Sequence, residues 1–326
     1  MGRNMKNYLI IDIGGTKTTA VIFNDQGEPI TDFMVKKSRT YEGEDMVFQN
    51  TIELAYEVLE AAGMTKKDIS GIGVAAPGPL NYRTGLIIDV PMMGWKNFPL
   101  GNYLREEFGV PVYVENDGNL GALAEANVGV AKGENVVLYQ TISTGCGGGI
   151  AIDGKIYHGR NGFAGEFGHV SIDFSGPKCG CGGNGCFEIY ASGSAMNSRM
   201  KRDIKSGIKS MAFESIDCNL EKINGKILGD AAEKGDSYAI CLLQQEGYYI
   251  GVGLANLINL FDPDVIVLAG GIVKTAKYFW YTMMDEIRRR ACFQFDEDRI
   301  RVSQLNDKVV AYGAYVMVKN ALDERL

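Results

Sequence analysis

The segment Tyr8–Asn24, YLIIDIGGTKTTAVIFN, decides how the rest of the chain is read. A β-branched, apolar run from Tyr8 to Ile13 breaks at Gly14-Gly15 and resumes over Thr18–Asn24, which predicts a strand, a tight turn and a second strand. The pattern returns over residues 136–157, VVLYQTISTGCGGGIAIDGKIY. Both copies show a β-run, a loop of Thr and Gly, a second β-run, and then an Asp/Gly turn, at Asp25–Gly27 and at Asp153-Gly154. Two related halves are therefore expected, each opening on a hairpin.

Outward from the hairpins, helical periodicity covers Met46–Ala62 and Leu100–Phe108, while Ile69–Ala75 and Val110–Glu115 read as strands. This alternation predicts an α/β fold. The small-residue stretch Asn119–Gly129 reads as a helix leading into a second domain, and residues 194–250 read as mostly helical. Val265–Leu268 is a short buried strand ending at Ala269-Gly270-Gly271; Lys274–Arg290 and the apolar residues 309–322 resume helical pattern. With 326 residues the chain exceeds the usual single core, so two domains with a cleft between them are expected. No low-complexity segment or long linker interrupts it.

A net charge of −7 lacks the positive field that phosphate backbones require, so nucleic acid is not an expected partner. Seven residues precede the first β-run, so no upstream DNA-reading module is expected. No apolar run approaches the roughly 18 residues that span a bilayer, and no signal peptide is legible. A cytoplasmic protein without a membrane partner is the expectation. Cys146, Cys218, Cys241 and Cys292 are scattered and read as reduced, buried thiols.

The other three cysteines are different. Residues 164–188, AGEFGHVSIDFSGPKCGCGGNGCFE, gather Cys179, Cys181 and Cys186 near His169, one of only two histidines. Neutral imidazole with three thiolates completes a closed tetrahedron, the pattern of structural zinc; a buried or redox-active thiol cluster is the alternative. The loops Asp12–Thr18 and Ser143–Gly149 offer backbone N–H groups that bulky side chains would shield, and two of them suggest a clamp on an anionic ligand. Gly270-Gly271, after a strand and before a helix, adds a third approach for a nucleotide. Neither loop is a Walker A or a dinucleotide fingerprint. In VENDGNL, Asp117 ends a predicted strand, where a carboxylate can accept a hydroxyl proton during phosphoryl transfer; an Asx turn or helix N-cap would explain it equally. Glu166, His169 and Glu188 supply acceptors suited to a polyol.

Taken in order, DIGGTK, VENDGN, STGCGGGI, AGEFGH and CGCGGNGCFE resemble the ROK family of bacterial sugar kinases and sugar-responsive repressors, over nearly the whole chain. The resemblance implies the two-domain actin-like ATPase (ribonuclease H-like) fold. It implies a small domain of residues 1–117 plus 309–326 and a large domain of residues 118–308 carrying the zinc loop. By the same resemblance Asp117 is the general base, and Gly78, Asn116, Asp117, Glu166, His169 and Glu188 contact the sugar. Asp12, Gly14, Gly15, Thr16, Lys17, Thr144, Gly145, Gly147, Gly270 and Gly271 hold ATP and magnesium, and His169, Cys179, Cys181 and Cys186 hold structural zinc.

Two positions depart from the family pattern. Ser143-Thr144-Gly145-Cys146 stands where many members have Gly-Thr-Gly-Ile, so a thiol open to oxidation is expected in that loop. Pro91-Met92-Met93-Gly94-Trp95 lacks the asparagine that many members carry before the tryptophan. The expected activity is ATP-dependent phosphorylation of a hexose 6-hydroxyl, glucose first. N-acetylmannosamine, N-acetylglucosamine or fructose are alternative substrates, and a sugar-responsive repressor is the alternative class. The family and the apolar character of residues 278–284 lead to an expected homodimer.

Overall fold

The computed structural model describes residues 6–324; residues 1–5, 325 and 326, part of the expected small domain, lie outside it. Packing divides the described residues into two units, one of residues 6–133, 150–164 and 307–324, the other of residues 134–149 and 165–306. The sequence predicts a second domain from residue 118; in the structure the helix of residues 117–127 packs with the C-terminal helix and stays in the first unit.

In the first unit, β1 (Asn7–Ile13), β2 (Lys17–Asn24), β3 (Met34–Lys37), β4 (Gly71–Ala76) and β8 (Val112–Asn116) form a sheet of order β3-β2-β1-β4-β8. A smaller sheet of β5 (Leu80–Asn81), β6 (Leu86–Val90) and β7 (Trp95–Phe98) was not legible in the sequence. Its strands are short and broken by turn residues, which weakens any two-residue period. The helices are α1 (Glu44–Ala61), α2 (Leu100–Phe108) and α3 (Asp117–Asn127), with α10 (Val309–Asp323) returning at the C-terminus.

Alternation along β1 explains how the sheet is covered on both sides. Leu9, Ile11 and Ile13 join one core with Leu54 and Val58 of α1 and Leu104 of α2, while Tyr8 and Ile10 join another with Leu120 of α3 and Ala314 of α10. Both faces are therefore apolar, as expected of strands sandwiched between helices. Register matters more for function. β1 runs parallel to β4 with Asp12 opposite Ala75, and β4 runs parallel to β8 with Ala76 opposite Asn116. Asp12 and Asn116 thus share the carboxyl edge of one sheet, the edge where ligands bind in open α/β folds.

The second unit repeats this plan. β9 (Val136–Ile142) and the start of β10 (Cys146–Ile152) form the hairpin, β12 (Val265–Ala269) runs parallel to β9, and β13 (Ile300–Val302) runs parallel to β12. Strand order β10-β9-β12-β13 corresponds to β2-β1-β4-β8; β11 (Lys155–Ile156) pairs with the end of β10 within residues 150–164, which belong to the first unit. The repeated hairpins in the sequence are thus the first strands of two equivalent sheets. Helices α4 (Glu188–Ala191), α5 (Gly193–Lys205), α6 (Met211–Glu214), α7 (Gly225–Glu233), α8 (Ser237–Phe261) and α9 (Ala276–Arg290) complete the unit. In the segment 278–284, expected to offer an apolar surface, Phe279, Met283 and Met284 are buried, Tyr278 and Trp280 are half-buried, and Tyr281 is exposed. Close packing of α9 on α8 accounts for this: Gly247 and Gly251 let the backbone of residues 279 and 283 approach. No described helix is long and apolar enough to cross a membrane.

Candidate functional site

At the carboxyl edge of the first sheet, the β1–β2 turn carries Gly14, Gly15, Thr16 and Lys17. Its carbonyls are tied back: Ser38 Oγ donates to Gly14 O at 2.5 Å, the Ser38 N–H donates to Thr16 O at 3.0 Å, and Thr40 Oγ1 donates to Gly15 O at 3.4 Å. Met92 lays its thioether against the turn; a Cβ on Gly15 would stand 2.2 Å from its Cε.

Asp117 is the first residue of α3 rather than the last of β8, and Asn116 is the N-cap, its side chain accepting the Gly118 N–H at 2.9 Å. Asp117 Oδ1 takes the same N–H at 2.8 Å. The cap explanation weighed for Asp117 therefore belongs mainly to its neighbour, and the helix start holds Asp117 at the sheet edge. Gly78 sits beside this turn, its Cβ direction 3.4 Å from Asn116 Nδ2. The Asp117 side chain reaches solvent, yet protein atoms crowd its carboxyl. Desolvation raises its pKa, opposed by the Gly118 N–H and the Asn116 side chain, and contact with water limits the rise. The carboxyl of Asp12 is pushed from 3.8 to about 7, first by burial, then by the charge of Asp117, with Lys17 opposing. Two carboxylates placed so that the charge of Asp117 raises the pKa of Asp12 form a natural seat for a cation.

In the second unit, the β9–β10 loop carries Ser143, Thr144 and Gly145. The N-terminus of α5 holds it, with Gly193 N donating to Ser143 O at 2.7 Å and Ser194 N to Thr144 O at 3.1 Å. Glu188 Oε2 accepts the Cys146 N–H at 3.0 Å. Gly147 lies within β10 and accepts from Gln140 at 2.9 Å, a strand role that differs from the loop role expected of it. Cys146 is buried, and burial followed by the charge of Glu188 pushes its thiol pKa up, so the expected oxidation-prone thiol is an inert one. The expectation that all four scattered cysteines are buried fails as well: Cys218, Cys241 and Cys292 are exposed.

Gly270 follows β12 at φ +97°, where a Cβ would stand 2.3 Å from Ile142 O, so the two strand ends meet only because the residue is glycine. Beside it opens a cavity of about 650 Å³ lined by Thr144, Asn197, Asn224, Gly271, Lys274 and Tyr278. Its volume suits a nucleoside. Asn197 was not legible as a site residue, because nothing in helix α5 distinguishes it from a solvated asparagine.

His169 closes a short helical turn that begins after Glu166, its N–H donating to Glu166 O at 3.1 Å. The ligand atoms of His169, Cys179, Cys181 and Cys186 all lie within 4.8 Å of one another, with Cys181 and Cys186 Sγ 3.5 Å apart and Cys179 Sγ 3.8 Å from His169 Nδ1. A zinc tetrahedron with ordinary bond lengths has edges of about 3.6–3.8 Å, so donor set and spacing fit that ion. The loop is shaped by Gly185, φ +62°, where a Cβ would meet Asp173 O at 1.6 Å. The Gly183 N–H and the adjacent thiols lower the pKa of Cys181, while burial pushes that of Cys186 up to about 12. Nδ1 faces the cluster, so Nε2 lies on the opposite side of the ring.

Known proteins share this fold. A profile of the ROK family matches residues 8–321. The chain belongs to the ROK family. Among ROK relatives, a glucokinase of Halalkalibacterium halodurans is 33% identical over 82% of this chain and 81% of its own. A xylose repressor of Caldicellulosiruptor bescii is 29% identical over 98% of this chain and 79% of its own. The structure of a ROK glucokinase from Streptomyces griseus in complex with glucose and AMPPNP resembles this one with a TM-score of 0.80 at 28% identity, covering 95% of this chain and 97% of its own. The ROK assignment bears out the two-domain actin-like ATPase fold expected from the sequence. The family holds both sugar kinases and repressors.

Proposed function

We propose that this protein is an ATP-dependent sugar kinase that phosphorylates the 6-hydroxyl of a hexose, glucose first. The observation that carries this reading is the pairing of Asp12 and Asp117 at one sheet edge, close enough for the charge of one to raise the pKa of the other. A phosphotransferase uses one carboxylate to accept a proton and the other to seat a cation. The glucose and AMPPNP bound to the Streptomyces griseus relative support the same reading.

Asp117 takes the proton of the sugar hydroxyl as the bond to phosphorus forms. Asn116, Gly78, Glu166, His169 and Glu188 hold the sugar hydroxyls. The turn Gly14–Lys17 and the loop at Thr144 and Gly145 cradle phosphates, and the cavity beside Gly271 takes the nucleoside. Asp12 is the residue that would hold magnesium, which neutralises phosphate charge when bound. His169, Cys179, Cys181 and Cys186 would hold zinc, which braces the loop carrying the sugar contacts and leaves Nε2 of His169 for a sugar hydroxyl. The homodimer expected from the sequence is part of this proposal and is checked by light scattering.

The test is ADP release with magnesium and ATP across glucose, mannose, fructose, allose, N-acetylglucosamine and N-acetylmannosamine, with Asp117→Asn in parallel. Turnover of glucose, lost by about 10²–10⁴-fold in the variant while sugar binding persists, is the expected result. Near-normal turnover of the variant rules out the base. Preference for another sugar moves the substrate and keeps the mechanism. A second reading, a sugar-responsive repressor, draws on the xylose repressor relatives. Sugar binding without turnover of any sugar would favour it.

A further inference from the structure

Glu115, directly before the turn that presents Asn116 and Asp117, has no role in the reading above. It is 2% exposed, and both its carboxylate oxygens are engaged within the first unit. Oε1 accepts the backbone N–H of Asn116 at 2.9 Å and the side-chain amide of Asn119 at 3.0 Å. Oε2 lies 2.6 Å from Nε2 of His158, the second of the chain's two histidines, 43 residues away in sequence. The His158 ring lies flat on Tyr82, with centroids 3.6 Å apart and planes 6° from parallel, and the Arg83 guanidinium stands 5.0 Å from the Tyr82 ring centre.

These contacts make one mechanical chain. Tyr82 fixes the plane of the imidazole, so Nε2 keeps one direction. That nitrogen is the partner of Glu115 Oε2, and a buried carboxylate keeps its orientation only while its oxygens have donors. Oε1 of the same carboxylate holds the Asn116 N–H, the peptide group from which the N-cap and the first helical residue project. Loss of the His158 contact frees the carboxylate to turn toward water and releases that peptide. An error of about 1 Å in a reacting group lowers the rate about 100-fold.

We propose that His158 is a positioning residue for phosphoryl transfer, acting through Glu115 to set the turn from which Asn116 and Asp117 meet the acceptor hydroxyl. The proposal rests on the sugar-kinase reading. His158→Phe keeps a flat ring for Tyr82 and removes the polar contact; His158→Gln returns an amide donor near the position of Nε2.

The experiment is steady-state kinetics of both variants alone and combined with Asp117→Asn. His158→Phe is expected to lower kcat by about 10–100-fold with sugar KM changed less than about threefold, and His158→Gln to recover most of the loss. Because the effect passes through Asp117, adding His158→Phe to Asp117→Asn is expected to lower residual turnover by less than about twofold. A parent-like kcat in His158→Phe, or a loss that multiplies fully with Asp117→Asn, overturns the positioning role. If His158→Phe does not fold, His158→Leu, which also removes the polar contact, takes its place under the same two criteria. Absence of ADP formation by the unsubstituted protein removes the kinase reading and this role with it; normal turnover of the parent beside an unaffected variant removes the role alone.

Discussion

Glu188 Oε2 accepts the backbone N–H of Cys146 at 3.0 Å, so a carboxylate assigned to the sugar also holds the second glycine loop in place. Its grip is close: a Cβ on Gly145 would stand 2.5 Å from the same oxygen. Glu188→Gln keeps an oxygen for that N–H, and Glu188→Ala leaves it unmade. The alanine variant is expected to raise KM for ATP by about tenfold, against less than about threefold for the glutamine variant. Initial-rate measurements at saturating sugar separate the two.

The Asp12 carboxyl holds its proton up to about pH 7 in the folded protein, where the unfolded chain releases it near 3.8. Between those values the unfolded state binds fewer protons, so stability falls as pH rises through the window and stays lowered above it. Partial contact of Asp12 with solvent moderates the penalty. Asp12→Asn removes the charge; it is expected to be more stable than the parent at pH 8, by about 1 kcal/mol, and to lose the advantage near pH 4. Urea midpoints at the two pH values check the sign. The same variant is expected to lose turnover by about 100-fold or more as the cation seat goes.

About one zinc per chain is expected on elemental analysis of the purified protein. Cys186→Ser should abolish it and lower Tm by about 5 °C or more. Gly185→Ala touches no ligand, but its Cβ would collide with Asp173 O. It is expected to lose metal as well, whereas a loop that tolerates the alanine and retains zinc contradicts the geometry described.

Gly270→Ala places a side chain at φ +97° against the Ile142 carbonyl. A loss of about 2 kcal/mol or more in chemical denaturation is expected.

Alkylation at pH 8 followed by mass spectrometry is expected to label the exposed Cys218, Cys241 and Cys292 and to spare Cys146. Ready labelling of Cys146 in the folded protein would restore the oxidation-prone loop.

Much of this protein is local, and the sequence alone carried it. The β-runs flanking Gly14-Gly15 and Ser143–Gly149 announced two hairpins and a repeat, because a period of two and a glycine break are written in adjacent residues. Cys179, Cys181 and Cys186 stand within eight positions, so their meeting needed little of the fold. Other features exist only through long-range packing. Parallel register of β1, β4 and β8 brings Asp12 within electrostatic reach of Asp117, over a hundred residues on. Burial turned Cys146 from a reactive thiol into an inert one and hid the apolar side of residues 278–284 against α8. Tertiary structure also joined Glu115 to His158, since a carboxylate and an imidazole far apart in the chain have no pattern in common until folding brings them together.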